Sequence, residues 1–377
     1  MNQDFHYYAT LVAARFAGFS NEEADVIANA AQYVDEHCED LIKRKELKKL
    51  GVEPTITCMQ LIEYEKYYIN TNPTGWSNEE LCELQGIWMP FHFLPGNLEG
   101  RLSYEGEDRY RNNQALLRRF QLTCTTNSEL LKQALNATIA SYNDTRNLCR
   151  VGLMMHVLAD TWAHTWFIGR PERYINNISS PRVKDRGNWL EVKRGSEDCP
   201  EKHEYYFFPV KFLTEQGISY LGHAQAGHMP DYSYLHYSYI PEWKSKSGNP
   251  SVEKNNPSDF YKAFAQMIYA LKCIRSSKEF SLDQYDSMQD YQQYEADYQS
   301  ALTAPQTDAS LSWLNLSKKV MGKMPYTYDR NYFTNEFLEA QDRSQTLYYK
   351  FSVAARDHYL LVEDYLKQYG FSLRINN

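Results

Sequence analysis

Three polar side chains recur at four-residue spacing in the apolar segment VGLMMHVLADTWAHTWF. His156, Asp160 and His164 stand at positions i, i+4 and i+8, and residues four apart lie on one face of a helix. Burying three such groups on an apolar helix is unfavourable unless something binds them. Neutral imidazole and ionised carboxylate are natural ligands of zinc. The triplet therefore predicts a metal-ligating helix face. The alternative is a helix whose polar side chains are satisfied by ordinary hydrogen bonds.

A second candidate pair lies near the amino terminus. A turn at Gly18 separates a predicted helix over 3–17 from a predicted helix over 21–37. If the two helices form an antiparallel hairpin, His6 and Asp35 lie at the same end, with a mismatch of roughly 7.5 Å at 1.5 Å per residue. A cation is expected to join them. Two ordinary polar residues at the open end of a hairpin are the alternative.

A third group stands in the segment GHAQAGHMPD. We predict a helix over 209–228 that contains His223 and ends at His228, and Pro230 then forces the chain to leave it. Asp231 can turn back toward the same pocket. Because a separation of five does not place both histidines on one face, one of them is expected to orient a ligand instead of binding metal. The alternative is a helix C-terminus whose histidines complement the helix dipole.

His92 stands in WMPFHFLPG, a proline-bracketed aromatic segment that predicts a loop. Metal ligation and a purely structural role both remain open for it. The other histidines are assigned to solvent-facing or core positions: His37, His203, His236 and His358.

Together the candidate groups exceed the three or four ligands of one tetrahedral zinc site. Two or three divalent ions would use them, with Asp160 as the natural bridging carboxylate. Asp35 is either a ligand or the general base that takes a proton from an attacking water. Zinc is the expected metal, although other divalent cations fit the same ligands. The predicted metal ligands are His6, Asp35, His92, His156, Asp160, His164, His223, His228 and Asp231.

Composition narrows the function further. The 377 residues carry a formal net charge of −8, which argues against extended nucleic-acid binding through a basic surface but permits a small pocket for a phosphate ester. The seven cysteines form no C-x-x-C pair, so neither a thiolate zinc knot nor a disulfide framework is indicated. The N-terminal segment lacks the pattern of a signal peptide, and no apolar run reaches about 18 residues. We expect a cytoplasmic protein, or one exported without a cleaved signal peptide.

The whole chain, 1–377, is expected to form one mostly α-helical domain built around a helical bundle. Residues 170–208 alternate apolar and polar side chains and predict a small β-hairpin insertion. Residues 229–257, aromatic and then rich in Pro, Asn and Lys, predict a long surface loop whose aromatic side chains could touch an interface. Further helices are predicted near 57–70, 78–86, 127–142, 144–168, 258–275, 283–302 and 334–368.

The order of these residues resembles the zinc-dependent phospholipase C and P1/S1 nuclease superfamily. The shared pattern is an early His, an Asp on the next helix, an isolated middle His, a His-x3-Asp helix with a following His, and a later His with an acid. The segments DFHYYAT, AQYVD, PFHFLPG, HVLADTWAH and GHAQAGHMPD also look like a bacterial family of uncharacterised function. The resemblance implies a helical fold, a trinuclear zinc site and phosphodiester cleavage by the ligands named above.

These observations predict metal-assisted hydrolysis of a phosphate ester, with a phospholipid head group as the first substrate. A nuclease or nucleotidase on the same site is one alternative, and stacked aromatic rings beside the metals would favour it because bases need a ring platform. A non-enzymatic interaction or effector protein that keeps a structural metal is the other alternative. The sequence predicts no particular protein partner.

Overall fold

The computed structural model describes residues 1–38, 41–59, 78–100, 114–194, 206–207, 220–244, 250–306 and 308–374. These residues are mostly helical and carry one small antiparallel sheet, so the predicted fold class is confirmed. Among the residues so described, no helix is long and apolar enough to span a membrane.

The chain begins with a helical hairpin. A π-helical segment, Asp4–Ala9, continues directly into helix α1, Thr10–Phe16, and helix α2 covers Asn21–Tyr33. Gly18 makes the turn between the helices with a φ of +90°, a conformation that L side chains rarely adopt. Helix α2 ends four residues earlier than predicted, so Asp35 lies in the turn that follows it and not on its helical face.

Ser20 starts α2 as the sequence pattern indicates. Its hydroxyl accepts a hydrogen bond from the backbone N–H of Glu23, and the Glu23 carboxylate accepts one from the backbone N–H of Ser20. This capping box satisfies two backbone donors that the helix itself cannot satisfy.

The other helices follow in chain order, and most lie close to their predicted positions. The 57–70 prediction falls mainly outside the described residues, and its first three residues are not helical. The predicted helix near 334–368 is divided by a short 3₁₀ turn. The helices are α3 (Leu41–Lys49), α4 (Asn78–Phe91), α5 (Gln114–Gln121), α6 (Glu129–Thr145), α7 (Leu148–Ala163), α8 (Arg173–Asn176), α9 (Asn256–Ser276), α10 (Glu295–Thr303), α11 (Ser310–Met321), α12 (Tyr332–Glu339) and α13 (Leu347–Gln368).

Helix α7 is the centre of the helical part and contacts α2, α6, α9 and α13. Its closest approach is to α2, at Gly152. A Cβ atom at this position would lie 2.2 Å from the carbonyl oxygen of Ile27 and 2.6 Å from the Cβ of Ala30. Only glycine allows the two helices to lie this close, and the contact brings the next turn of α7 against the C-terminal end of α2.

A four-stranded antiparallel sheet covers one side of the helices in the order β2-β1-β5-β6. Strands β1 (Ile178–Asp185) and β2 (Asn188–Glu191) form the hairpin expected within 170–208. The prediction of a long surface loop over 229–257 is wrong, because β5 (His236–Pro241) and β6 (Val252–Asn255) complete the sheet. The two-residue strands β3 (Lys193–Arg194) and β4 (Tyr206–Phe207) pair separately.

The aromatic residues of this region are part of the core. Tyr237, Tyr239 and Trp243 are almost completely buried, so these three cannot form an interfacial surface. They belong to a contiguous apolar cluster whose members extend from Met1 to Leu373. Tyr237 and Tyr239 are alternate residues of β5 and therefore lie on the same face of the sheet, whereas Trp243 lies in the 3₁₀ turn that follows the strand, Glu242–Lys244.

Candidate metal centre

The structure brings eight of the nine predicted ligands together. Their donor atoms form three groups, and within each group the donors lie within 4.8 Å of one another, close enough to hold a metal ion. The groups are His6, His156 and Asp160; Asp35, His92 and His156; and His164, His223 and Asp231. Because His156 belongs to two groups, the first two are parts of one contiguous set.

Asp160 lies at the middle of this set and is 1% exposed. Its Oδ1 is 3.2 Å from His6 Nε2, and its Oδ2 is 3.1 Å from His156 Nε2 and 3.4 Å from His92 Nδ1. Its Oδ2 is also 3.6 Å from His164 Nδ1, which belongs to the third group. The carboxylate thus lies between the donors of the first two groups, which is the arrangement expected of a bridging ligand, and it approaches the third group only at the His164 nitrogen that bonds the His92 carbonyl.

The amino group of Met1 joins the third group to the others. It donates a hydrogen bond to Asp160 Oδ1 at 2.9 Å and lies 3.4 Å from Asp231 Oδ1. Burial disfavours its charge, but the carboxylates of Asp160, Asp231 and Asp35 outweigh that effect and raise the pKa of the amine to about 11. The ammonium therefore neutralises part of the carboxylate charge at the position where the groups meet.

Backbone carbonyls fix the orientation of two imidazoles in the first set. His156 Nδ1 lies 2.9 Å from the carbonyl oxygen of Ala31, and His92 Nε2 lies 2.8 Å from the carbonyl oxygen of Thr57. A neutral imidazole has one N–H, which here donates to the carbonyl, and the lone pair of the other nitrogen then faces the cluster. His156 Nε2 and His92 Nδ1 face each other at 3.2 Å.

Backbone carbonyls also orient the two imidazoles of the third group. His164 Nδ1 lies 2.8 Å from the carbonyl oxygen of His92, and His223 Nδ1 lies 2.8 Å from that of Gly227. The remaining nitrogens, His164 Nε2 and His223 Nε2, are 3.3 Å and 3.6 Å from Asp231 Oδ1. Metal-binding histidines characteristically donate their other ring N–H to a carbonyl or carboxylate, which fixes the tautomer and the ring orientation.

Several polar atoms of the centre lack a hydrogen-bond partner of good geometry. Both ring nitrogens of His6 and the Oδ2 of Asp160 are buried without one. The His6 ring stacks on the ring of His156, with centroids 3.7 Å apart and planes 16° from parallel. An unsatisfied buried carboxylate oxygen is costly, and a cation in contact with it would remove that cost.

Asp35 is the most accessible carboxylate of the centre. Its side chain is 33% exposed, compared with 1% for Asp160 and 9% for Asp231. One oxygen lies 3.7 Å from His92 Nδ1 and 3.8 Å from His156 Nε2, and the other lies 4.0 Å from His6 Nε2. Despite its position beyond α2, Asp35 therefore reaches the same imidazoles that the hairpin prediction requires.

His223 and His228 lie in an irregular segment, which contradicts the predicted helix over 209–228. Residues 209–219 fall outside the described part, and the rest contains only a 3₁₀ turn, Ala224–Ala226. His223 precedes this turn and points into the centre. His228 follows it, has a side chain 58% exposed, and reaches only the outer oxygen of Asp231 at 3.3 Å. It belongs to none of the three donor groups, so of the two histidines it is the one that contacts a donor residue from outside.

His92 is also placed differently from the prediction. Helix α4 extends through Phe91 with Pro90 inside it, and His92 stands in the turn directly after the helix instead of in a longer loop. The Pro90 carbonyl lies in the last turn of the helix, where carbonyls have no intrahelical partner, and it accepts a hydrogen bond from His358 Nε2 at 2.8 Å, so His358 is a buried structural histidine. His37 is buried as well, whereas His236 pairs with Glu253 on the sheet.

The electrostatics of the centre keep its carboxylates ionised and the imidazoles of His6 and His223 neutral, whereas hydrogen bonds to Asp160 and Asp231 outweigh burial and raise the pKa values of His92 and His228, respectively. Burial lowers the pKa of His6 to about 3 and that of His223 to about 4. The pKa values of Asp160 and Asp231 lie well below the usual range, because neighbouring imidazoles and the Met1 ammonium outweigh burial. Neutral imidazole and ionised carboxylate are the forms that bind a metal ion.

Sequence reasoning missed two kinds of participant. The Met1 amine carries no side-chain pattern, and the carbonyls of Ala31, Thr57, His92 and Gly227 are backbone groups that any residue type could supply. Only the fold identifies them. One useful trace in the sequence is the stripe of small side chains in α2, Ala24, Ala28 and Ala31, since close helix packing brings the Ala31 carbonyl to His156.

Comparisons with curated proteins and with solved structures return no match. A family model described as a family of unknown function (DUF6765) matches residues 1–366, which include every residue of the centre. The chain belongs to this family of unknown function.

Proposed function

We propose that this protein is a metal-dependent phosphoesterase that hydrolyses phosphodiesters, like the phospholipase C superfamily it resembles, through two or three zinc ions. One observation carries the proposal: the imidazole lone pairs of His156 and His92, each held in place by a backbone carbonyl, converge on a buried Asp160 oxygen that has no hydrogen-bond partner. A purely structural cluster would be expected to pair these atoms with one another.

The donor set fits zinc. Each of the three groups consists of imidazole nitrogens and one carboxylate, without sulfur, and three protein ligands with an open position are typical of catalytic zinc sites. Divalent ions, when bound, stabilise charge on phosphoryl oxygens and activate water near neutral pH. His6, His156 and His92 would hold two of them around Asp160, and His164, His223 and Asp231 would hold the third.

Asp35 is the residue best placed to act on a water molecule at the solvent-accessible side of the centre. Its carboxylate is accessible to water, while Gln32 donates a hydrogen bond to its Oδ2 at 3.4 Å and holds that oxygen in position. Its Oδ1 faces His92 and His156. In this proposal Asp35 orients the attacking water and takes its proton, and Asp160, which is inaccessible to water, acts only as a ligand.

A specific observation favours a nucleotide over a phospholipid head group as the second candidate substrate. Three partly exposed rings follow one another beside the third group: His228 and Tyr232 have centroids 6.0 Å apart at 27°, and Tyr232 and Tyr234 have centroids 6.1 Å apart at 14°. Nearly parallel rings at the edge of a metal centre offer a base a stacking surface. The negative net charge still disfavours a long polyanion.

Metal analysis combined with hydrolysis of a generic aryl phosphodiester tests the proposal. The wild-type chain should contain about two or three zinc ions, and Asp160→Asn should lose metal and at least about 10³-fold in rate, since metal stabilisation is worth several kcal/mol. Asp357→Asn is the matched control, because Asp357 is half-exposed and pairs with Arg150 away from the centre. A chain that binds metal but hydrolyses neither an aryl nor a nucleotide diester would support the non-enzymatic alternative instead.

A further inference from the structure

Two cysteine side chains lie against each other at one edge of the centre. Cys38 follows the turn after α2, and Cys58 lies in an extended segment whose backbone N–H groups approach the His37 carbonyl, at 3.1 Å from Thr57 N and 3.4 Å from Cys58 N. The thiol of Cys58 hydrogen-bonds that of Cys38, and this contact, together with burial, raises the pKa of the Cys58 thiol. The hydrogen bonds to His37, the residue directly before Cys38, therefore hold the backbones of Cys38 and Cys58 side by side.

The pair is accessible to small reagents. Both residues are partly exposed, and Cys38 lines an open cavity of about 120 Å³. Cys38 is consequently the sulfur that an incoming oxidant meets first.

Thr57 connects the pair to the metal centre. Its carbonyl oxygen accepts the hydrogen bond from His92 Nε2, at 2.8 Å, and its hydroxyl donates to the carbonyl oxygen of Val34 at 2.7 Å. Val34 precedes Asp35 in the chain. A displacement of Cys58 would therefore be transmitted by one peptide unit to the group that orients His92.

We propose that Cys38 and Cys58 form a reversible disulfide when the protein meets a peroxide, and that this disulfide weakens metal binding through Thr57. In the first step the Cys38 thiolate attacks one peroxide oxygen, the O–O bond breaks, and the released hydroxide takes a proton to become water. In the second step the Cys58 sulfur attacks the resulting sulfenic acid at Cys38. The S–S bond forms, the S–O bond breaks, and the leaving hydroxide departs as water with the Cys58 proton.

The expected consequence follows from the change in sulfur separation. Two thiols in hydrogen-bond contact must move to about 2.05 Å to form the bond, so the segment that carries Thr57 shifts toward Cys38. Loss of the group that orients a metal-binding histidine typically weakens metal affinity by about 10- to 100-fold. This part of the inference rests on the proposed metal centre, whereas formation of the disulfide does not.

The test treats purified protein with hydrogen peroxide and then alkylates the remaining thiols. Peptide mapping by mass spectrometry should find the Cys38 peptide linked to the Cys58 peptide, and a phosphine reductant should separate them. Cys38→Ser and Cys58→Ser should each abolish the linked peptide. Cys273→Ser, which changes a cysteine of α9, should leave it unaltered.

Zinc affinity is then measured by competition with a chromophoric chelator in both redox states. Oxidised wild type should bind zinc at least about tenfold more weakly than reduced wild type, and in Cys38→Ser peroxide should leave the affinity unchanged. If no linked peptide is found, the proposed disulfide between Cys38 and Cys58 is refuted. If the peptides are linked but zinc affinity is unaltered, the proposed effect of the disulfide on metal binding is refuted. A chain that binds no zinc in either state refutes the metal centre and the coupling, while the mapped link still decides the thiol pair.

Discussion

The candidate centre has a helical half and a loop half, and the two differ in what holds their side chains. The helical half consists of His6, Asp35, His92, His156 and Asp160, which lie on helices or in the first turn after one. The loop half consists of His164, His223 and Asp231, where only His164 belongs to a helix end.

The partners that orient the histidines show the same difference. His156 donates to Ala31 on another helix, so its orientation depends on how α2 and α7 pack. His223 donates to Gly227 only four residues away, within its own turn. The helical half is thus maintained by tertiary packing, whereas the loop half combines a local hydrogen bond at His223 with a distant one from His164 to the carbonyl of His92. Each half should therefore be open to separate disruption.

Alanine substitution of one histidine in each half should give the largest effects. His156→Ala removes a donor from two of the three groups, whereas His223→Ala removes a donor from one. We expect His156→Ala to lose most of the bound zinc and His223→Ala to lose about one ion. Both should lower phosphodiester hydrolysis at least about 100-fold. Ions per chain, measured by plasma mass spectrometry, distinguish them.

Equal metal loss in the two variants would mean that the halves do not bind independently. The comparison would then have to be abandoned in favour of a single cooperative site bridged by Asp160. Circular dichroism of both metal-free variants checks that neither result comes from unfolding.

The helical half was largely predictable because its information is local. His156, Asp160 and His164 follow the helix repeat within nine residues, and the structure places His156 and Asp160 on one face with His164 at the helix end. Asp35 was correctly predicted to lie near His6, but the local structure predicted for it was wrong. It lies beyond the end of α2 and not on the helix, and the hairpin nevertheless places it beside His6.

The loop half was less predictable because glycine conformations and distant strand pairing determine it. Gly222 and Gly227 both have positive φ, 52° and 56°, which interrupts the helix predicted across His223. A Cβ at Gly222 would also lie 2.2 Å from the ring of Phe93. Strand β5 pairs with β1, far away in sequence, and β6 pairs with β5, and no local pattern in a Pro- and Asn-rich segment indicates the distant partner.

Gly152→Ala tests whether helix packing maintains the helical half. The new Cβ would meet the Ile27 carbonyl oxygen, which is backbone and cannot rotate away. We expect the free energy of unfolding to fall by about 1–3 kcal/mol, and zinc affinity to fall because Ala31 moves away from His156. Chemical denaturation and chelator competition measure the two effects.

Gly86→Ala is the matched control, since Gly86 also lies in a helix but a Cβ there would be in ordinary contact, 3.5 Å from Tyr359. This variant should be as stable as wild type or up to about 1 kcal/mol more stable. If Gly152→Ala behaved in the same way, the proposed dependence of the helical half on close α2–α7 packing would be wrong.

His228→Ala should have the smallest effect, and it tests whether His228 belongs to the metal-binding residues of the loop half. Because the side chain is mostly exposed and belongs to no donor group, zinc content should be unchanged and stability should stay within about 0.5 kcal/mol of wild type. Its ring nevertheless stacks on Tyr232. If the rings bind a base, KM for a dinucleotide should rise about fivefold, equivalent to about 1 kcal/mol, while KM for a non-aromatic phosphodiester should not change.

His236→Ala, a substitution of a histidine of β5 that pairs with Glu253, provides the control. A loss of zinc in His228→Ala would place this residue among the ligands, and equal KM changes for both substrates would remove the reason to prefer a nucleotide.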